Sequence, residues 1–183
     1  MIITGDRFSN TLIGTPDADT ISGGGGQDSI SGRDGEDEIN GNRAADWLRG
    51  GAGVDTVNGG LGADVIYSGA DNDVLSGGLG SDTFVYRDVS DAVDAPEGQE
   101  EEILDLENRD TIDLSGVDAN ANASGNQAFT IVDTFTGHAG ELILVFEEDE
   151  NETYIRGDVN GDSQIDLQIE LEGRHLGFDN LVL

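Results

Sequence analysis

The apolar residues in the first half of the chain keep a strict nine-residue spacing. Counted from Gly5, nine consecutive units run without insertion to Val85. The eighth position of each is apolar: Leu12, Ile21, Ile30, Ile39, Leu48, Val57, Ile66, Leu75 and Phe84. The end of each unit is β-prone and its start is glycine-rich, as in "GGAGVDTVN" at 50–58 and "GGLGADVIY" at 59–67. Such a unit reads as a tight turn followed by a short strand that points one side chain inwards. Two units make one wind of roughly 18 residues, and stacked winds make a parallel β-solenoid. No helical period of useful length appears, so the fold class is all-β.

The polar positions are as regular as the apolar ones. Position six is Asn10, then Asp19, Asp28, Asp37, Asp46, Asp55, Asp64, Asp73 and Asp82, and position one is glycine except at Ser68. The turn glycines are Gly23, Gly24 and Gly26, then Gly32 and Gly35, then Gly50, Gly51 and Gly53. Gly59, Gly60 and Gly62, and Gly77, Gly78 and Gly80, complete the set. Left-handed backbone at positions one, two and four is the expected reason for them. Winding sets position six of one unit over position six two units later, so carboxylate stacks on carboxylate. That repulsion calls for a cation. Turn carbonyls and carboxylates, with no imidazole or thiolate, suit a hard ion that takes six or more oxygens, which is Ca2+. A glycine-rich solenoid without metal is the plain alternative, and stacked unpaired aspartates argue against it.

The GGxGxD phrase followed by x, apolar, x resembles the RTX (haemolysin-type) nonapeptide repeat over residues 5–85. The resemblance implies a right-handed parallel β-roll with calcium between stacked turns. Each ion would take turn carbonyls and one position-six carboxylate from each of two turns. On this chain the pairs would be Asp28 with Asp46, Asp46 with Asp64 and Asp64 with Asp82 on one side. On the other they would be Asp19 with Asp37, Asp37 with Asp55 and Asp55 with Asp73. Several units depart from the pattern: Asn10 replaces the first aspartate, Pro16 and Asp17 enter the second turn, and Ala44 and Asp71 stand at position four. About four to six ions are therefore expected.

After Val85 the period stops. An acidic stretch over 88–102 leads into short apolar runs divided by turn signals, read as an antiparallel, sandwich-like β cap on the end of the roll. The phrases "SDTFVY", "RDTIDLSGVD", "FTGHAGE" and "DVNGDSQIDLQIELEG", in that order, with the terminal "FDNLVL", resemble the C-terminal region of serralysin-type (peptidase M10) metalloproteases. That resemblance covers about residues 82–183. It implies an RTX roll over 1–86 and a cap over 87–183 that ends in an uncleaved type I secretion signal. Glu101, Asp105 and Asp110 are candidates for a last calcium site where roll meets cap; the family's "DxIxDF" segment corresponds to "EEILDL", with one residue missing before Asp110. The loop with Asp158, Asn160, Asp162 and Asp166 has Ser163 where a calcium loop needs glycine and Ile169 where it needs an acid, so a polar turn is expected there.

Composition sharpens this picture. The chain has 39 acids, eight arginines and no lysine, a formal charge of −31, 36% hydrophobic and 5% aromatic residues, and no cysteine. So thin an apolar supply cannot offset chain entropy while the acids repel, and neutralisation by calcium outside the cell would tip the balance towards folding. A polyanion of this size should avoid nucleic acid and anionic membranes. Disulfides and thiolate metal sites are excluded. "MIITGDRFSN" lacks a basic region followed by an apolar stretch, so no cleavable signal is expected, and export would use the C-terminal route to the extracellular medium. No HExxH occurs, and His138 and His175 are the only histidines, so no catalytic constellation is expected and the reading is non-enzymatic. The alternative is a polysaccharide-binding module, since alginate epimerases carry similar RTX modules. The net charge opposes it, and Arg33, Arg43 and Arg49 are its candidate basic stripe. Trp47, at position seven, is expected to face outwards and cover a strand.

Overall fold

The computed structural model describes residues 1–93 and 99–183. Within the repeat, short strands follow one another at nine-residue intervals. They are β1 (Ile2–Thr4), β2 (Thr11–Ile13), β3 (Thr20–Ser22), β4 (Ser29–Asp34), β5 (Glu38–Arg43), β6 (Trp47–Ala52), β7 (Thr56–Leu61), β8 (Val65–Ala70), β9 (Val74–Leu79) and β10 (Thr83–Val85). Each strand of this roll pairs in parallel with the strand two further on. On one side the register places Ile3, Ile21, Ile39, Val57 and Leu75 in a column. On the other it aligns Leu12, Ile30, Leu48, Ile66 and Phe84. From Ile21 to Phe84 these side chains are buried. They form the inward column expected of a β-solenoid, each full burial being worth about 1.5–3 kcal/mol.

A short 3-10 turn, Val89–Asp91, comes after the roll, and its Ser90 carbonyl accepts from the Asp71 N–H at 3.0 Å. The middle of the acidic stretch, residues 94–98, lies outside the described residues. Then come β11 (Glu101–Ile103), β12 (Thr111–Asp113), β13 (Thr130–Ile131), β14 (Glu141–Glu147), β15 (Glu152–Asp158), β16 (Leu167–Glu172) and β17 (Leu181–Val182). Among the described residues one sheet runs β1-β3-β5-β7-β9-β11-β16-β15-β14-β13 and the other β17-β12-β10-β8-β6-β4-β2.

Two expectations change here. Among the described residues the antiparallel strand pairs lie in the β14-β15-β16 meander, with one further bridge from Val93 to Leu167, and the meander continues the roll's own sheet through β11 rather than forming a sandwich of its own. The period also does not end at Val85. Leu75 aligns with Ile103 and Phe84 with Ile112, so both columns resume after ten extra residues. Glu101 and Asp110 take position six, nine residues apart, and Ile103 and Ile112 take position eight. The frame is hidden in the sequence because neither unit has glycine at position one, two or four. Burial, not composition, keeps the apolar and acidic columns in line.

Candidate metal centre

Stacked position-six residues are joined by hydrogen bonds. The main-chain N–H of each donates to Oδ1 of the residue one wind later: Asp19 to Asp37 at 2.8 Å, Asp37 to Asp55 at 2.8 Å and Asp55 to Asp73 at 2.7 Å. The opposite side repeats it from Asn10 to Asp28, Asp28 to Asp46, Asp46 to Asp64 and Asp64 to Asp82, at 2.7–2.8 Å. The ladder then enters the cap. Asp73 donates to Glu101 Oε2 at 2.6 Å and Asp82 to Asp110 Oδ1 at 2.9 Å. Every acid in it from Asp19 to Asp82 is buried.

Only one oxygen of each carboxylate is used in this way. Among the described residues, Oδ2 of Asp28, Asp37, Asp46, Asp55, Asp64, Asp73 and Asp82 and Oε1 of Glu101 are buried with no hydrogen-bond partner. A buried polar atom without a partner costs roughly 1–3 kcal/mol, and a charged one more. Those of Asp28, Asp37, Asp46, Asp55, Asp64 and Asp82 face a position-one glycine. A Cβ on Gly59 would lie 2.5 Å from Asp64 Oδ2 and 2.7 Å from the Gly77 carbonyl oxygen. Gly23 meets Asp28 Oδ2 and the Gly41 carbonyl in the same way, and Gly32 meets Asp37 Oδ2 and the Gly50 carbonyl. Gly50 and Gly77 likewise sit against Asp55 Oδ2 and Asp82 Oδ2.

This geometry corrects the glycine reading. Position one is not left-handed; it is glycine because carboxylate and carbonyl oxygens crowd the space a side chain would fill. Positions two and four are the left-handed ones: Gly24, Gly51, Gly60, Gly69 and Gly78 at two, and Gly26, Gly35, Gly53 and Gly62 at four. Gly80, also at position four, lies outside that region. The departures keep the turn shape, since Arg33, Asn42, Ala44 and Asp71 all have φ between 74° and 91°. Asp71 also accepts from the Gly53 N–H at 3.1 Å, tying two turns together.

The site is electrostatically costly as it stands. Burial, opposed by the N–H from the preceding wind and aided by neighbouring acids, pushes the Asp46 and Asp55 carboxyls up to about 7. The same causes raise Asp82 to about 6 and raise Asp37 and Asp73, while burial alone, opposed by the Asp46 N–H, raises Asp64. Burial first, then Asp73, holds the Glu101 carboxyl well above the usual range. Asp19 is the exception. The N-terminal ammonium and the Thr15 N–H and hydroxyl satisfy both its oxygens and lower it.

Among the described residues no three His, Cys, Asp or Glu side chains form a metal cluster. A cation here must therefore draw most of its ligands from main-chain carbonyls. The donor set of stacked carboxylates and turn carbonyls fits a hard, oxygen-seeking ion and no soft one.

The three candidates at the junction separate. Glu101 joins the turn of Asp73, beside the hydroxyls of Tyr86 and Ser68. Asp110 joins the turn of Asp82, with its Oδ2 taken by the Glu107 N–H at 2.7 Å. Asp105 accepts from the Gly77 and Gly78 N–H groups, both at 2.8 Å, and from the Ser76 hydroxyl. Tyr86 carries no signal in the repeat, whereas Ser68 is legible as the one break in the position-one column and stands beside the one glutamate in the ladder.

Elsewhere two polar loops are tied by their own hydrogen bonds. Asp158 is occupied by the N–H groups of Asn160, Gly161 and Ser163, a polar turn. His138 caps a turn through the Thr136 hydroxyl at 2.7 Å. The basic stripe does not form as expected: Arg33 and Arg49 lie on one sheet and Arg43, on β5, on the other.

A family model described as "Peptidase M10 serralysin C terminal" matches residues 18–183. Among solved structures, the AlgE6R2 subunit of the Azotobacter vinelandii mannuronan C5-epimerase is similar over 100% of this chain and 92% of that one, at 23% identity and a TM-score of 0.50. The AlgE6R3 subunit of the same enzyme is 25% identical over 97% of this chain and 80% of that one, with a TM-score of 0.47. The first likeness is one of fold. No curated protein matches.

Proposed function

Because the chain belongs to the peptidase M10 serralysin C-terminal family, we propose that it is the calcium-responsive, non-catalytic tail of an exported protein. The observation that carries this reading is the row of buried carboxylate oxygens without partners, of which those of Asp28, Asp37, Asp46, Asp55 and Asp64 face a turn carbonyl across a glycine. Calcium bound there would be held by position-six carboxylates from Asp28 to Asp82 and by carbonyls of the intervening turns. Its charge would offset the desolvation that raises the carboxyls of Asp37, Asp46, Asp55, Asp64, Asp73 and Asp82.

The device is a folding switch. Where calcium is scarce, the acids repel, the apolar column is too thin to order the chain, and the protein stays extended and export-competent. Where calcium is millimolar, ions that bind only the folded state pull the equilibrium to it. About five ions would bring the formal −31 to about −21, enough to keep the surface soluble. In this reading residues 1–86 are the RTX roll, and residues 87–183 cap it and carry the type I secretion signal. The partner during export is the type I machinery and the destination is extracellular.

The test is a calcium titration of the chelated chain monitored by circular dichroism. A cooperative gain of β-structure at roughly 10⁻⁴ to 10⁻³ M is expected. A chelated sample with the same spectrum as the calcium-loaded one overturns the reading.

A further inference from the structure

One groove of the molecule has no part in the ladder. It measures about 860 Å3 and lies on the outer face of the sheet that contains β4, β6 and β8. Its floor is smooth, because Gly51 and Gly69 are aligned across β6 and β8, as are Ala52 and Ala70. On one side stand two aromatics, Trp47 and Tyr67, with ring centroids 5.5 Å apart and planes 39° apart. Trp47 is 57% exposed although it is the only tryptophan in an aromatic-poor chain.

Three of the eight arginines line this one groove: Arg33, Arg49 and Arg87. Arg49 lies between Ser31 and Tyr67 in register, and Arg33 lies beside Gly51. Arg87 sits over the Tyr67 ring at 5.6 Å and pairs only loosely with Asp113, at 3.8 Å. Arg33 and Arg49 form no ion pair among the described residues, in a chain with 39 acids. Arg33 also holds φ at 91°, at a turn position that is glycine in most units, which is a strained way to present a guanidinium. Two acids share the groove. Asp91 is already engaged by the N–H groups of Arg87 and Asp88, which leaves Asp34 free to accept hydrogen bonds.

We propose that this groove binds a short run of carboxylated glycan, sugar rings that each carry a carboxylate. Flat aromatic faces suit pyranose rings, forked guanidinium groups suit carboxylates, and Asp34 with Ser29 and Ser31 suits ring hydroxyls. An extended acidic peptide fits less well. β4, β6 and β8 are each paired on both sides, so no open strand edge is offered to a peptide backbone. The −31 of the surface opposes any long polyanion, uronate chain and nucleic acid alike, so the occupant is a short oligomer whose ring hydroxyls and carboxylates, rather than its total charge, are recognised. The proposal needs a folded roll, and it rests on the calcium reading only for the choice of buffer.

The test tracks the fluorescence of the single tryptophan in the full chain in millimolar calcium, with the fold checked by circular dichroism in the same cuvette. The probes are a hexameric oligouronate, a neutral hexaose, hexaglutamate and a thymidine hexanucleotide. A saturable change is expected with the oligouronate, at least tenfold tighter than with the other three. Arg49→Ala should weaken it at least tenfold, whereas Arg43→Ala, on the opposite sheet, should leave it unchanged. No saturable change, equal binding of hexaglutamate or the hexanucleotide, or an unaltered Arg49→Ala titration overturns the proposal. If the β spectrum persists in chelator, the calcium reading falls while the titration still decides the groove.

Discussion

The main-chain N–H of Asp82 donates to Oδ1 of Asp110 at 2.9 Å, across the point where the uninterrupted repeat ends. The rung is the same in kind as that from Asp64 to Asp82 at 2.8 Å. The end of the roll is therefore fastened to the C-terminal half of the chain by the roll's own ladder.

Asp110→Ala should loosen that joint. It leaves the buried Asp82 N–H unpaired, at a cost of about 1–3 kcal/mol. For a chain of this size each kcal/mol lowers the melting temperature by roughly 2–4 °C. Calorimetry in calcium should show that fall; an unchanged melting curve would mean the rung carries no stability.

Asp55→Asn separates charge from geometry. The amide oxygen still accepts the Asp37 N–H, and the new NH2 can donate to the carbonyl of Ser68 that crowds Gly50. The variant should hold more β-structure than the parent in chelator and need several-fold more calcium to complete folding. Parallel titrations by circular dichroism compare the two, and a variant that needs less calcium refutes the assignment of Asp55 as a ligand.

The metal-free fold should gain stability as pH falls. Asp46 and Asp55 titrate near 7 when folded and near 4 when unfolded, so the folded state holds the extra protons between those values. Stability from this source is full below about pH 4 and is lost as pH rises through 7. In chelator, β-structure should increase from pH 8 to pH 5, and the calcium midpoint should rise over the same range because protons compete for the carboxylates. A chelated chain whose spectrum ignores pH counts against buried, uncompensated acids.

Gly51→Ala tests the turn. Gly51 has φ of 140°, and a Cβ there would run into the carbonyl of Arg33 in the wind below. The conformational cost alone is roughly 1–2 kcal/mol, so a fall in thermal midpoint and weaker calcium response are expected. Gly177→Ala is the matched control, because a Cβ there meets nothing within 4 Å. Equal behaviour of the two would show that the stacked turns are looser than the geometry implies.

Much of the molecule is legible in the chain alone. A side chain every nine residues that must be apolar, and another that must be acidic, dictates the wind length and the two columns. Those are local demands, repeated, and repetition makes them visible. The best-formed unit, 50–58, contains the whole logic of the turn.

What the chain alone conceals depends on contacts between winds. Position one looked like a φ requirement and is a packing requirement, since the oxygens that exclude a Cβ from Gly59 come from Asp64 and from Gly77, 18 residues away. Glu101, Asp105 and Asp110 read from the chain as one candidate cluster, and only the N–H groups of Asp73 and Asp82 show that Glu101 and Asp110 continue two separate ladders. Arg33, Arg49 and Arg87 are scattered in sequence and lie in one groove only because the winds stack in 18-residue register. The sequence by itself determined the period, the apolar column and the acidic ladder, because each unit states them again. Tertiary structure alone decided where the ladder ends, which oxygens are left without partners and which cations gather, because those facts belong to neighbouring winds and to no single one.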